Sequence, residues 1–407
     1  MDQACDILIV GAGAAGLMTA IFAGRQYRDR RILILDGAKK PGAKILVSGG
    51  GRCNITHDFV DASAFAGSSR NAIGKVLRRF DVDETVTFFQ EIGVQLKRES
   101  TGKLFPTTDS ARTVLDALIR EAKRVNVEFL HPYRVEEISQ QGGHFDVTGV
   151  WGSITAHKVV LATGGRSLPR SGSDGHGYKL AQSLGHKLTR RFFPALVPLT
   201  LPPTHFICEL SGITLPTMLT VVSSTGKKLV SFTDSTLCAH FGLSGPSVLD
   251  ISRYYLDTVA QDQNAALLIN WLPETTTEQF EHALQSERQP VIRMLSQKFP
   301  ERLARALCEQ AGVDPLSSGI SLSRPLRKSL AQTVTSMKLP ITGDRGYTYA
   351  EVTAGGVPLS EIRLETMESR VCPNLHLCGE ICDVDGRIGG YNFQWAWSSG
   401  YTAGISL

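Results

Sequence analysis

The sequence predicts an α/β protein: a three-layer domain built on a parallel sheet, with a β-meander, into which a β-rich and helical domain is inserted. Short apolar stretches of strand length alternate with helical patterns over residues 1–189. Residues 190–345 differ in composition and are punctuated by proline. From residue 346 the strand pattern of the first region returns. These three observations predict the fold class.

The first element is an apolar strand at residues 6–10, of the kind that lies fully buried in a parallel sheet. Gly11, Gly13 and Gly16 follow it at once. Their spacing allows a tight turn, close approach of the backbone to a pyrophosphate, and close packing of a helix on the strand. The N-terminus of that helix would add amide donors and a positive dipole.

The glycine turn opens a βαβ unit. Helix-forming residues occupy positions 17–27, and a second apolar strand at 31–35 ends in Asp36. The unit has the length of about 30 residues that this motif requires. Asp36 is placed to hydrogen-bond the hydroxyl pair of a ribose. We therefore interpret the segment as a Rossmann-like dinucleotide-binding unit rather than as a simple turn.

Further elements complete the first domain. Helical patterns cover residues 73–92 and 112–125, and the second has one apolar face. Residues 127–160 switch to short alternating strands around a Gly142-Gly143 turn, which predicts a β-meander.

The pattern divides the chain into two domains. The dinucleotide-binding domain takes residues 1–189 and 346–407, and the inserted domain takes residues 190–345. Within the insertion, about 190–270 is strand-like and about 271–340 contains short charged helical patterns bounded by prolines.

Composition excludes several classes of protein. The 43 basic and 39 acidic residues give a net charge of +4, so no strong field favours nucleic acid or an anionic membrane surface. No segment approaches the roughly 20 apolar residues of a membrane helix, and the N-terminus does not read as a secretion signal. The eight cysteines form neither CxxC pairs nor zinc-like spacings, so we predict free thiols and no metal site. We expect a cytoplasmic protein with a small-molecule substrate, and leave its oligomeric state open.

Two later strand ends favour FAD over NAD. One strand ends in Thr163-Gly164-Gly165, and the last ends in Gly379-Glu380. NAD on the first βαβ unit would leave both unexplained, whereas the longer FAD needs a distant carboxylate to hold its ribityl chain. Glu380 is the candidate for this carboxylate; the alternative is an exposed loop residue.

Longer motifs resemble one known family. They are Lys44 with SGGGRCN at 48–54, LFP at 104–106, LATGG at 161–165, GLSGP at 242–246, and residues 379–394. Over essentially the whole chain, the sequence resembles bacterial NAD(P)- and FAD-dependent flavoproteins that include aminoacetone oxidases and bile-acid dehydro-reductases.

Together with the strand ends, this resemblance implies a set of FAD contacts, including a backbone contact to the adenine near Val135. The residues are Gly11, Gly13, Ala14, Ala15, Gly16, Asp36, Lys44, Ser48, Gly49, Gly50, Gly51, Arg52, Cys53, Asn54, Val135, Thr163, Gly164, Gly379, Glu380, Gly389, Gly390, Tyr391 and Asn392. Asp36 departs from the family, where Glu is common, but either carboxylate can hold a diol. Residues 232–241 also depart from the family pattern. Because they lie in the inserted domain, this departure affects the expected substrate more than the expected cofactor.

The C-terminal segment is predicted to address the flavin ring. Gly389 and Gly390 would let the backbone approach the flat isoalloxazine. A helix beginning near Asn392 would point its N-terminus at the pyrimidine end of the ring, where negative charge accumulates on reduction. Asn392 and Gln394 could hydrogen-bond the flavin or cap the helix, and the sequence leaves both interpretations open.

Other conspicuous residues are interpreted structurally. His176 could donate a proton, but a turn before a helix is the favoured interpretation. Trp395 and Trp397 cannot share one helix face, so at least one of them packs in the core. The basic residues among 187–191 are interpreted as a solvated face rather than a phosphate contact.

The predicted function is that of an FAD-dependent oxidoreductase. Hydride would pass between FAD and either NAD(P)H, bound transiently as a co-substrate, or a small organic substrate; the compound reduced would be unsaturated or a carbonyl. No catalytic residue is assigned. Two alternatives stay open: an oxidase of amine or aminoketone type that uses O2, and an FAD-linked RNA-modifying protein. The insertion is expected to cover the reactive face of the flavin and to set specificity.

Overall fold

The computed structural model describes residues 3–407 and contains two compact units. The first unit comprises residues 3–194 and 350–407, and the second comprises residues 195–349. The two boundaries lie a few residues further along the chain than the sequence pattern predicts.

The first unit is built on a nine-stranded sheet with parallel central strands. Its main path runs Ile362–Arg363, Glu368–Ser369, Leu375–Leu377, Gly152–Leu161, Gln3–Val10, Ile32–Leu35 and Glu128–Leu130. Val10 is paired with Leu161 on one side and Leu35 on the other, and Leu161 is paired with Leu377. The residues that follow these strands therefore meet at one edge of the sheet, and the predicted Rossmann fold class is confirmed.

A β-meander extends this sheet. Strands Glu137–Gln141 and His144–Gly149 form a hairpin, and the second pairs antiparallel with the first half of Gly152–Leu161. Gly142 and Gly143 form the turn with φ of 58° and 85°, a left-handed conformation that glycine adopts without steric cost.

Three helices of the first unit pack together. Helix Ala14–Gln26 contacts both Ala111–Arg124 and Tyr391–Gly404. A Cβ added to Gly400 would lie 2.6 Å from the Ala15 carbonyl oxygen. The small residues near the C-terminus therefore let the last helix contact the backbone of the first.

The single helical pattern predicted at residues 73–92 forms two helices, Arg70–Leu77 and Val82–Glu91. Asp81 accepts a hydrogen bond from the Glu84 amide at 3.0 Å, and the Glu84 side chain accepts one from the Asp81 amide at 2.8 Å. This capping box starts a new helix instead of continuing the old one.

Shorter elements complete the first unit. The helices and helical turns are Ala43–Val47, Ser48–Gly51, Ala62–Ala64, Pro169–Ser171, His176–Ser183, Leu359–Glu361 and Gly379–Ile381. The strands are Thr56–His57, Phe65–Gly67, Leu96–Arg98, Lys103–Pro106, Val352–Ala354 and Val384–Gly386, and Phe193–Ala195 lies at the unit boundary.

The second unit has its own antiparallel sheet and core. The strand order is Met337–Leu339, Ala266–Asn270, Thr214–Val222, Lys228–Ala239, Gly242–Ser244, Leu199–Thr200 and Gly343–Asp344. Its helices and helical turn are Phe206–Glu209, Pro246–Gln261, Thr277–Ser286, Val291–Ser296, Glu301–Ala311, Gly319–Ser321 and Arg324–Thr335. Most of the departing stretch 232–241 lies in the long strand Lys228–Ala239.

The β-rich description of residues 190–270 misses the helix Pro246–Gln261. Its start, Gly245-Pro246, has the composition of a turn, but proline is favoured at the first helical position. Val248, Ile251 and Tyr255 are buried at helical spacing, so a helical period was present behind the turn signal.

Within residues 3–407, no helix is both long and apolar enough to cross a membrane. The same residues contain no group of three or more His, Cys, Asp or Glu side chains arranged to hold a metal ion. All eight cysteines are buried free thiols.

Candidate cofactor site

The aligned strand ends open onto a cavity of about 610 Å³, lined entirely by the first unit. The lining includes two groups of residues. The strand-end group comprises Gly11, Asp36 and Val135, which follow or flank the sheet strands. The loop group comprises lining residues of the segment 48–54 together with Lys103, Phe105, Gly389 and Gly390.

The three glycines of the first turn have different surroundings. Gly11 has φ of +107°, and a Cβ on Gly16 would lie only 1.9 Å from the Gly11 carbonyl oxygen. A Cβ on Gly13 would meet no atom within 4 Å, and Gly13 lines the cavity. The first helix carries no side-chain cap, so its first amides are available to a phosphate.

Asp36 fixes the two loops beside it. Its carboxylate accepts hydrogen bonds from the amides of Ala12 and Ala38, both at 2.7 Å. Burial raises the pKa of Asp36, although the two amide bonds favour the ionised form. A carboxylate oxygen accepts more than one hydrogen bond, so Asp36 can still hold a ribose hydroxyl.

Glu380 and Lys44 form a partly buried ion pair, with the Lys44 Nζ 2.6 Å from the Glu380 Oε2. The other Glu380 oxygen accepts from the Ser167 hydroxyl at 2.8 Å and from the Thr353 amide at 2.9 Å. Lys44 also donates to Ser167, at 2.8 Å. This network fastens four chain segments around the cavity and gives Glu380 a defined position, so it is not a free loop residue.

The SGGGRCN segment forms a strained loop. Gly49, Gly50 and Gly51 all have positive φ, and so does Cys53 at 60°, which is unusual for a residue with a side chain. Cys53 is fully buried, and burial raises the pKa of its thiol to about 12. Cys53 therefore stays protonated and is not a nucleophile.

Unpaired polar atoms of Asn54 and Thr163 indicate whether the cavity can accept a cofactor. Both line the cavity, and the Asn54 Oδ1 and the Thr163 Oγ1 are buried without a hydrogen-bond partner. Buried polar atoms are normally satisfied. The ring N–H and ribityl hydroxyls of a flavin can supply these partners, and Gly13 leaves room for a pyrophosphate. The residues present fit FAD.

The C-terminal helix, Tyr391–Gly404, begins one residue before the predicted Asn392. Gly389 and Gly390, with φ of 122° and 98°, lead into it and line the cavity. Asn392 does not cap the helix: its side chain donates to the Gly386 carbonyl at 2.9 Å and accepts from the Gly386 amide at 2.8 Å. It braces the loop that precedes the helix.

Gln394 is absent from the cavity lining and does not cap the helix, so neither of the two interpretations left open for it describes its side chain. The side chain is buried, accepts a hydrogen bond from the Thr56 hydroxyl at 2.7 Å, and donates to the Phe80 carbonyl at 2.9 Å. The cause is its position on the helix face that packs inward. Gln394 anchors the helix whose N-terminus faces the cavity.

Most of the predicted contacts lie in one place. The cavity lining includes Gly11, Gly13, Ala14, Ala15, Asp36, Lys44, Ser48, Gly49, Gly50, Arg52, Asn54, Val135, Thr163, Gly164, Gly379, Glu380, Gly389, Gly390 and Asn392. Gly16, Gly51, Cys53 and Tyr391 do not belong to it. Gly16 packs against the Gly11 carbonyl oxygen within the turn. The Tyr391 ring stacks on the His57 ring with centres 5.1 Å apart. Contact of the lining residues with FAD stays a prediction.

Sequence reasoning missed several lining residues. Ser173 lines the cavity and contacts Lys44, as does Ser167 just behind the lining, and Lys103 and Phe105 belong to the loop group. The serines follow the LATGG strand in a glycine-rich stretch, which was an available signal. Lys103 precedes the LFP motif, but no local pattern marks its side chain as facing a cavity.

The remaining conspicuous residues have structural surroundings. His176 begins the helix His176–Ser183, with its Nε2 3.0 Å from the Glu136 carbonyl oxygen. Trp395 and Trp397 are both buried and donate to the carbonyls of Gly379 and Ile55. Both tryptophans therefore contribute to packing.

The Rossmann sheet and the fitted cavity define the class: this chain is an FAD-dependent oxidoreductase. It belongs to the family described as the HI0933-like protein Rossmann domain, whose model matches residues 5–406. The family resemblance found in the sequence is thereby confirmed.

Full-length relatives carry two different names. A ribosomal RNA dihydrouridine synthase of Escherichia coli K12 is 36% identical over 410 residues, covering 99% of this chain and 98% of the relative. A 3-dehydro-bile acid delta(4,6)-reductase of Clostridium scindens is 33% identical over 402 residues, 97% of each. A ribosomal RNA dihydrouridine synthase of Haemophilus influenzae is 32% identical over 415 residues, covering 100% of this chain and 99% of the relative.

Solved structures show the same fold at low identity. A mutant of the E. coli quinol fumarate reductase FrdA has a TM-score of 0.54 and 16% identity, over 100% of this chain and 70% of that one. The 3-ketosteroid delta1-dehydrogenase of Sterolibacterium denitrificans has a TM-score of 0.52 and 12% identity, over 99% of both chains. These likenesses concern the fold alone.

Proposed function

We propose that this chain reduces a carbon–carbon double bond conjugated to a carbonyl group. The observation that carries the proposal is that its full-length relatives are named for different substrates but for the same change. Dihydrouridine is uridine with two hydrogens added across a ring double bond beside a carbonyl. A delta(4,6)-reductase of a 3-dehydro compound likewise adds hydrogen to double bonds conjugated to a ketone.

The residues of this chain would position the cofactor and exclude other chemistry. Bound FAD would supply hydride transfer. The strand-end group would hold the adenosine and pyrophosphate, and the network of Lys44 and Glu380 would hold the ribityl chain. The N-terminus of helix Tyr391–Gly404 would stabilise negative charge at the ring. The protonated Cys53 takes no part as a nucleophile.

The electron donor proposed is NADH or NADPH, bound transiently. Only one complete dinucleotide motif, at Gly11, Gly13 and Gly16, is present in the sequence, and it is assigned to FAD. A nicotinamide cofactor would therefore bind transiently at the reactive side of the flavin and dissociate, so that the substrate could bind in the same place.

The test is anaerobic reduction of the purified flavoprotein by NADPH and NADH, followed by reoxidation. We expect bleaching of the flavin by one nicotinamide, and faster reoxidation by a conjugated substrate than by dissolved oxygen. Rapid reoxidation in air with stoichiometric hydrogen peroxide, driven by an amine or aminoketone instead of a nicotinamide, would establish the oxidase alternative and refute this proposal.

A second candidate concerns the substrate: a uracil base of ribosomal RNA. The relatives at 36% and 32% identity carry that name, whereas the near-balanced charge of this chain argues for a small molecule. Both substrates would undergo the same reaction.

Two substrates separate these candidates. Ribosomal RNA lacking dihydrouridine and a 3-oxo-4,6-diene steroid are each offered to the reduced protein, and products are identified by mass spectrometry. Dihydrouridine in the RNA assigns the nucleic-acid substrate, and a saturated steroid product assigns the small-molecule class.

A further inference from the structure

We infer that Lys103 binds the substrate oxygen on which negative charge develops during reduction. This inference rests on the proposed function, because it assumes a conjugated carbonyl substrate beside the flavin. It assigns a catalytic residue where sequence reasoning assigned none.

Lys103 lies where a flavin ring is expected. It is half-buried, lines the cavity, and belongs to the strand Lys103–Pro106. A Cβ added to Gly389 would be 3.5 Å from the Lys103 Cε and 3.6 Å from the His57 Cδ2. The lysine is therefore beside the glycines that lead into helix Tyr391–Gly404, at the site assigned to the isoalloxazine.

Lys103 also differs from the neighbouring cations by its lack of a partner. Arg52 lies 2.7 Å from Glu99, Lys44 lies 2.6 Å from Glu380, and Lys97 is paired with Asp109. Over residues 3–407, the Lys103 ammonium has neither a hydrogen bond nor a carboxylate within ion-pair distance. His57, its aromatic neighbour, is already engaged by Asp58 at 2.7 Å.

Because no carboxylate among residues 3–407 pairs with the Lys103 ammonium, it is available to a ligand oxygen that carries negative charge. An oxygen that becomes anionic only during the reaction would interact with the Lys103 ammonium more strongly in the transition state than in the ground state. Such a difference in interaction lowers the barrier to reaction.

The chemical step balances in electrons and protons. A hydride supplied by reduced FAD, which NAD(P)H would regenerate, would add to the carbon farther from the carbonyl. The electron pair of the double bond would shift toward the carbonyl, and the oxygen would become an enolate held by the Lys103 ammonium. A proton from solvent then adds to the carbon next to the carbonyl, and the carbonyl re-forms. Lys103 keeps its own proton throughout, so an arginine can replace it.

The experiment uses 4-nitrophenolate as a stable mimic of the enolate, titrated into the oxidised holoprotein above the pKa of the phenol. A phenolate stacked on oxidised flavin produces a long-wavelength absorption band, which gives a dissociation constant without turnover. The neutral ether 4-nitroanisole, of similar shape, is the ligand control. Lys97→Met removes an ion-paired lysine outside the cavity lining and is the protein control.

We expect Lys103→Met to weaken phenolate binding roughly 10- to 100-fold, the range for a hydrogen bond to a charged group. Lys103→Arg should stay within about tenfold of the wild type, and Lys97→Met within about twofold. Binding of 4-nitroanisole should be unchanged in all variants.

Three results would overturn the inference. The first is a wild-type holoprotein that does not bind the phenolate, and the second is a Lys103→Met variant that binds it normally. The third is an equal loss of phenolate and anisole binding, since Lys103 would then serve packing. A holoprotein that passes these tests yet reduces no conjugated substrate would refute the proposed function and leave the anion site standing.

Discussion

The glycines of the first turn show how differently single residues of one motif are constrained. Gly16 is required by contact, because any side chain would collide with the Gly11 carbonyl oxygen. Gly13 is required by neither contact nor conformation, since its φ of −81° is open to any residue and its Cβ direction is empty. Its absence of a side chain matters only if a ligand fills that space.

Gly13→Val is therefore expected to fold normally and to lose FAD. The valine would occupy the place of the pyrophosphate, and we expect FAD affinity to fall by about 100-fold or more. Thermal unfolding of the apoprotein and flavin titration measure the two effects separately. The matched variant Gly16→Ala should instead lose about 1–3 kcal/mol of stability through overpacking. A Gly13→Val protein that binds FAD with wild-type affinity would contradict the assignment of the site.

At the scale of elements, one carboxylate joins two helices of the first unit. Glu121 of Ala111–Arg124 accepts hydrogen bonds from Arg25 of Ala14–Gln26 at 2.7 and 2.9 Å, and from Arg124 at 2.7 Å. Its side chain is only 8% exposed. The two guanidinium groups, with Arg124 foremost, lower the pKa of Glu121 from 4.5 to about 2.

The ion pairs of Glu121 should make the free energy of unfolding depend on pH. Because the folded pKa is lower than the unfolded one, the contribution is complete above pH 4.5 and is lost as the pH falls toward 2. Glu121→Gln should lower the free energy of unfolding by about 2 kcal/mol near neutrality, and the deficit should shrink over that acid range. Urea unfolding at several pH values measures it.

Glu128→Gln, which removes the exposed pair with Arg31, is the control and should change stability by less than about 0.5 kcal/mol. A Glu121→Gln deficit that stays constant down to pH 2 would show that the loss comes from packing and not from charge.

At the scale of the whole molecule, the cavity and the inserted unit are built from separate stretches of the chain. Every residue that lines the cavity belongs to residues 3–194 or 350–407, and each unit has its own hydrophobic core. The insertion interrupts the sequence of the first unit, and among residues 3–407 none of the residues that line the cavity comes from it.

A protein in which a flexible Gly/Ser linker replaces residues 195–349 should therefore still bind FAD. Co-purified flavin absorbance, FAD titration and circular dichroism measure binding and folding. The same deletion carrying Gly13→Val should be folded and colourless. A folded deletion protein that takes up no FAD would show that the site depends on the second unit.

The sequence alone determined the parts of this protein that depend on neighbours in the chain. The first βαβ unit, the meander turn, the position of Asp36 and the start of the last helix all follow from periodicity and turn chemistry over short spans. The same reasoning failed where a turn signal concealed a helix, at Pro246–Gln261, and where a cap divided one.

Only the tertiary structure decided which side chains meet and which way they face. Lys44 and Glu380 are 336 positions apart in sequence, and no local sequence pattern predicts that they form an ion pair. Gln394 faces the core while Lys103 lines the cavity, although both were polar residues in or beside recognisable motifs. The physical reason is that burial and pairing depend on how distant segments pack, whereas strands, helices and turns depend largely on the residues within them.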